Sequence, residues 1–322
     1  MENSPGTVFV TGASGFIGRH IVRLLIQHDY KVRALVRRTP TLPFDPSVDL
    51  IAGDLTRPET YEPALSGVSA VVHSALTEDF SGDIQATSTL RNLSARAGVK
   101  QFIHLSSIVV YGNPQSGDIT EATPPVLAAD RYSQTKLAIE GVFKSDSRSP
   151  EVAILRLGCV YGPRGGWWTQ ALLDAMSRGK HILVNAGTGT ANLIHVEDVA
   201  ATVLLLLAQP NSGPRIFNVT DGAPVPWKLY FSALEGILER TATVSMSAEE
   251  ARQYGRKWLN PSLLRRVIRK MQGSAHIHAL DDRAIDFFAS TAVYSNSKAI
   301  ESLGFRPKYD LEAGMLTVSR AN

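Results

Sequence analysis

Thr11-Gly-Ala-Ser-Gly-Phe-Ile-Gly18 is the stretch that decides the fold. Upstream lies Thr7-Val-Phe-Val-Thr11, a β-branched and aromatic run; downstream, Ile21, Leu24, Leu25 and His28 recur at helical spacing. The glycines therefore sit in a turn between a strand and a helix. There Gly12 permits the tight turn, Gly15 lets backbone amides approach a pyrophosphate, and Gly18 lets the helix pack on the strand, with the helix N-terminus facing the anion. Three glycines alone fit a ligand-free loop. The strand–turn–helix context favours a dinucleotide site built from Gly12, Ser14, Gly15, Phe16, Ile17 and Gly18.

Working outward, near-continuous hydrophobic runs predict strands over 7–11, 31–36, 49–52, 70–74, 102–105, 152–157 and 216–219. Helices are expected between them, including 19–28 and 195–207. This is the pattern of a Rossmann-type, doubly wound parallel α/β sheet covered on both faces. From Pro224 the chain is Pro-punctuated and basic, which suggests a smaller C-terminal lobe. The expected division is 1–162 with 184–220 for the dinucleotide domain, and 163–183 with 221–322 for the lobe.

The second strand ends in Arg37 and Arg38 with no acid beside them. An acid there would accept from a ribose 2′-hydroxyl, whereas cations suit a 2′-phosphate. The sequence thus points to NADP, against the plainer reading of two solvated arginines. Gly53-Asp54-Leu55 places a carboxylate where it can accept from the adenine amino group.

Ser106-Ser107 closes the fifth strand, and Tyr132-Ser-Gln-Thr-Lys136 follows in a helical stretch. Tyr and Lys at i and i+4 share a helix face. An ammonium near the phenol would depress its pKa and make Tyr132 a general acid or base, while a serine hydroxyl orients the reacting carbonyl oxygen. Tyr294-Ser-Asn-Ser-Lys298 matches the same spacing but follows no such strand.

Composition bounds the rest. The 322 residues are 44% hydrophobic and 20% charged, which is globular composition. The longest apolar run, 199–208, is about half a membrane span. The N-terminal stretch lacks a basic, cleavable secretory pattern, and the single cysteine, Cys159, allows no disulfide framework and no thiolate metal cluster, so a cytoplasmic location is expected. The net charge of +3 hides an asymmetry: 251–280 holds seven cations and no acid, and the remainder sums to −4. Within it, Leu263, Leu264, Val267, Ile268 and Met271 form a helical stripe opposite four cations. The plain reading is a lobe helix with a solvated basic face; the sharper one is a patch for an anion-bearing carrier, such as a coenzyme A thioester or acyl carrier protein, or for a membrane surface. No nucleic-acid module is visible.

These residues resemble the extended short-chain dehydrogenase/reductases across nearly the whole chain: Thr11 to Gly18, Gly53-Asp-Leu55, His73-Ser-Ala75, the run from Leu105 to Gly112, Tyr132 to Lys136, the run from Arg156 to Pro163, His195-Val-Glu-Asp-Val-Ala200 and Leu303-Gly-Phe-Arg-Pro307. The resemblance selects Ser107 over Ser106 as the catalytic serine. It also implies a nicotinamide cofactor, Lys136 on the nicotinamide ribose, cofactor contacts around Ser74, Ala75 and Val160, a C-terminal substrate lobe, and a homodimer. Three departures weaken a nucleotide-sugar reading: Cys159 where epimerases usually have Asn, Ala191-Asn192-Leu193 where they have an Arg for pyrophosphate, and Asp83 where an Asn is usual. Tyr30-Lys-Val-Arg-Ala-Leu-Val-Arg37 is similar to the second strand of dihydroflavonol, cinnamoyl-thioester and 3β-hydroxysteroid-type enzymes. Gly165-Gly-Trp-Trp168 falls where the family builds its substrate pocket, so Trp167 and Trp168 either line an apolar cavity or pack the lobe.

The expected function is NADP(H)-dependent reduction of a hydrophobic ketone, aldehyde or 3-oxo compound at Ser107, Tyr132 and Lys136. The rivals are a redox-neutral epimerase or dehydratase with tightly held NAD(P), and a non-catalytic dinucleotide sensor.

Overall fold

The computed structural model describes residues 5–38, 43–77, 79–143, 150–209, 215–259 and 276–321. Five strands open the order: β1 (Thr7–Thr11), β2 (Lys31–Val36), β3 (Asp49–Ala52), β4 (Val68–His73) and β5 (Gln101–Ser107). With Glu151–Leu157 and Arg215–Val219 they form one seven-stranded sheet. Every pairing is parallel, and the order steps outward from β1 in two directions. That reversal beside β1 creates a crevice at the carboxyl ends of the strands.

Alternation along each strand feeds two cores. Val8 and Val10 point to the face covered by α1 (Phe16–Gln27) and α5 (Val196–Ala208); Phe9 points to the face covered by α2 (Phe80–Arg96) and α3 (Arg131–Val142). A third core lies outside the sheet, where α4 (Leu172–Arg178), α6 (Trp227–Leu238), α7 (Ala248–Trp258) and the helix Asp282–Ala289 surround Trp227, Tyr230 and Phe231.

Two strand ends differ from the sequence expectation. β4 stops at His73, because Ser74 turns out of the ladder: its N–H and its hydroxyl both donate to the Thr11 carbonyl, at 3.3 and 2.7 Å. β5 runs on through Ser107, so its two serines are still in extended backbone and project to opposite faces. The basic helix expected over 262–271 lies outside the described residues.

Candidate active site

The glycine turn is fixed by contacts that leave no room for side chains. Gly12 has φ +67°, and a Cβ there would come within 2.7 Å of the Ala75 nitrogen; one on Gly18 would come within 2.2 Å of the Gly12 carbonyl oxygen. Thr11 Oγ1 accepts from Ala75 N at 3.4 Å, tying the turn to the end of β4. The first turn of α1 carries no acidic side chain, and its N-cap Gly15 offers no capping group. These uncapped amides and the cleared space fit a dinucleotide pyrophosphate. Arg37 and Arg38 are exposed just past β2, and Arg37 acts on Asp54. Asp54 is held below the usual carboxylate range chiefly by hydrogen bonds from Thr56. Leu55 and Val160 are buried in the cores, so only their backbones are open to a ligand.

Ser106 and Ser107 separate at the end of β5. Ser106 Oγ donates to Glu140 Oε1 at 2.7 Å, in the interior. Ser107 instead caps the turn that follows, accepting from Val109 N at 3.4 Å, and it lowers the proton affinity of Tyr132. Tyr132 projects from the first turn of α3, whose N-cap Asp130 accepts from Ser133 N. Tyr132 as a whole is 44% exposed, and desolvation is nevertheless the largest influence on its acidity. One helical turn on, buried Lys136 donates to the Leu105 carbonyl at 2.8 Å, with Nζ 5.9 Å from the Tyr132 ring centre.

The electrostatics correct one expectation. Lys136 does not depress the tyrosine in this structure; the Tyr132 pKa is raised, first by burial, and Asp130 adds to that while Ser107 and Arg283 oppose it. Lys136 itself is pushed down to about 8 by burial, against the pull of Asp83 and Glu140. Asp83, buried at the start of α2, accepts from Thr77 N at 2.6 Å.

Comparison with known proteins agrees with this geometry. Residues 8–220 match the family described as the NAD dependent epimerase/dehydratase family. The chain belongs to that family. It is 32% identical over 216 residues to a ceramide reductase of Caulobacter vibrioides, a match covering 65% of this chain and 63% of the relative. It is 24% identical over 351 residues to a 3-beta-hydroxysteroid dehydrogenase of Mycolicibacterium neoaurum, covering 96% of this chain and 89% of that one. Among solved structures, MoeE5 in complex with UDP-glucuronic acid and NAD superposes with a TM-score of 0.75 at 25% identity, covering 98% of both chains. Seven-stranded Rossmann-type architecture, a nicotinamide dinucleotide cofactor and extended short-chain dehydrogenase/reductase membership follow for this family member. No helix among the described residues is long and apolar enough to cross a membrane.

The C-terminal lobe packs around aromatic rings. Trp168, Trp227 and Phe287 form a nearly equilateral triangle of rings, with centroids 5.3, 5.5 and 5.8 Å apart. Trp168 is thereby a packing residue that stays half-buried; Trp167 is 72% exposed. Both lie in a turn of π-helix, Gly166–Ala171, a feature found often at functional sites. The second Tyr-x-x-x-Lys match is taken apart by the fold: Tyr294 is buried against Tyr111, and Lys298 lies over Phe217.

Three features escaped sequence reasoning. Glu140 and Arg156 form a buried ion pair beneath the site, and only the i, i+4, i+8 spacing of Tyr132, Lys136 and Glu140 could have signalled it. His104 is buried between His73 and Phe143, and neither ring nitrogen has a hydrogen-bond partner among the described residues. Arg283 reaches Asp130 from the lobe, a contact no local pattern announces.

Proposed function

We propose that the protein is an NADP(H)-dependent oxidoreductase that reduces a hydrophobic carbonyl compound to an alcohol, with Ser107, Tyr132 and Lys136 as its catalytic residues. The observation that carries this reading is the convergence at the carboxyl end of β5 of Ser107, which closes the strand, with Tyr132 and Lys136 one turn apart on α3 and Lys136 bound to the Leu105 carbonyl at 2.8 Å. When bound, the nicotinamide supplies or accepts the hydride equivalent. Gly12, Gly15 and Gly18 would seat its pyrophosphate, Arg37 and Arg38 a 2′-phosphate, and Asp54 the adenine amino group. Backbone at Ser74, Ala75, Leu55 and Val160 would line its path, and Lys136 would reach the ribose.

In this reading Ser107 holds the substrate carbonyl oxygen and Tyr132 Oη gives it a proton. The raised Tyr132 pKa suits the reducing direction, because the phenol stays protonated at neutral pH. Trp167, with Val126 and Leu127 exposed in the segment leading into α3, supports an apolar substrate. So do the names of two relatives, a ceramide reductase and a steroid dehydrogenase. Tyr132→Phe should lower turnover by about 10²- to 10⁴-fold with NADPH affinity retained; undiminished turnover would sink the assignment. Replacing Arg37 and Arg38 together by Ala should cut the preference for NADPH over NADH by about tenfold or more.

The likeness to MoeE5 in complex with UDP-glucuronic acid and NAD favours a second reading, redox-neutral chemistry on a nucleotide sugar. It requires the dinucleotide to co-purify and to show no net redox change during turnover.

A further inference from the structure

The helix Asp282–Ala289 touches both the start of α3 and Trp168 of the lobe. Arg283 and Phe287 stand one turn apart on it. Phe287 packs on Trp168, while Arg283 Nη1 lies 3.0 Å from Asp130 Oδ1 and its Nη2 donates to Ser133 Oγ at 3.4 Å. Asp130 is the N-cap of the catalytic helix, and the oxygen that holds Arg283 is the one that caps Ser133 N. The other oxygen, Oδ2, is buried without a hydrogen-bond partner among the described residues. A carboxylate held this way depends on its cation: without Arg283, an uncompensated negative charge would remain two residues from Tyr132.

We propose that Arg283 is a positioning residue for the Ser107–Tyr132–Lys136 site, clasping the C-terminal lobe onto the N-terminus of the catalytic helix through Asp130 and fixing a cation and a carboxylate beside the phenol. The inference rests on the reading of Tyr132 as the proton donor. It goes beyond that reading by giving the lobe a part in the chemistry: a substrate that shifts Trp168 shifts Phe287, and the same rigid turn carries Arg283.

The charged and polar groups around the phenol are few. From its own helix come Asp130, exposed Arg131 and Lys136; from β5, Ser107; from the lobe, Arg283. Asp282 and Asp286, which flank Arg283, are both engaged by Arg252 of α7. Arg283 lowers and Asp130 raises the proton affinity of Tyr132. The two partners of one ion pair therefore act on the phenol with opposite sign, which a merely structural clasp would not reproduce.

The test uses the full chain loaded with NADP⁺ and needs no substrate. Phenolate formation at Tyr132 is followed by near-ultraviolet absorbance against pH, as the difference between each protein and its Tyr132→Phe counterpart. Arg283→Gln should move the ionisation to higher pH and Asp130→Asn to lower pH, each by about two- to threefold in the ionisation constant, as suits a half-exposed pair. Asn retains the helix cap, so Asp130→Asn keeps the helix start, and Arg283→Lys should restore part of the shift. Shifts in the same direction, or equal losses of stability with no shift, would overturn the proposal. If Tyr132→Phe keeps full turnover, the reading of the site fails; if it is inactive and the opposed shifts are absent, the clasp alone fails.

Discussion

On one side of β5, Ser106 enters a polar network in which nearly every atom is matched. Glu140 takes Ser106 and two nitrogens of Arg156, at 2.7, 3.0 and 2.7 Å; Arg156 Nη1 donates to the Tyr111 hydroxyl, which donates to Asn218 Oδ1. Toward the start of α3, on the same face of the sheet, Lys136, Tyr132 and His104 make up a region of mismatched groups close to Ser107 at the strand's end. There a buried ammonium is pushed down to about 8, a tyrosine is raised, and His104 has no hydrogen-bond partner for either nitrogen among the described residues. Both regions hold buried charge, yet only the first satisfies it. The matched region secures the sheet and α3, and the strained region is where chemistry is read.

Single substitutions should treat the two regions differently, and the largest effect belongs to the matched one. Glu140→Ala leaves Arg156 buried without its counter-ion and should cost about 3–5 kcal/mol of unfolding free energy, read by denaturant titration. In the strained region, Ser107→Ala should lower turnover by about 10²-fold with little change in stability. Ser106→Ala should do the reverse, losing about 1 kcal/mol of stability with turnover largely kept; equal behaviour of the two serines would erase the contrast. Lys136→Met should leave the protein inactive, and in the absence of dinucleotide about 1 kcal/mol more stable at neutral pH, because the cost of burying the ammonium is removed.

A further contrast lies in the pH dependence of stability. Burial lowers His73 to about 3, and His181 and His195 to about 4, from 6.5. Below pH 6.5 the unfolded chain takes up protons at these sites and the folded chain does not. Their contribution is thus fully present above 6.5 and is lost as pH falls toward 4 and then 3. His73→Gln should flatten the lower part of that curve in acid-denaturation measurements.

Much of the sheet was legible because parallel strands buried on both faces are uniform in sequence: β1, β2 and β3 fall on the expected residues. The turn at 11–18, Tyr132 and Lys136 were legible because they are local motifs. The lobe was not. The rings that define its wall come from Trp168, Trp227 and Phe287, brought together only by tertiary packing, and the Arg283–Asp130 pair joins residues far apart in the chain. Nor could the sequence say that Lys136 would turn to a backbone carbonyl, since an i, i+4 spacing gives a shared face but no hydrogen-bond choice.

Gly165 and Gly166 sit against the ring of Phe16, in the dinucleotide turn; a Cβ on Gly166 would come within 2.6 Å of it. The loop that carries Trp167 thus rests directly on the turn proposed to seat the cofactor. A mutation made there to reshape the substrate cleft would be felt first as a change in nucleotide affinity. For anyone redesigning this protein, substrate scope is freely adjustable only from Trp167 outward.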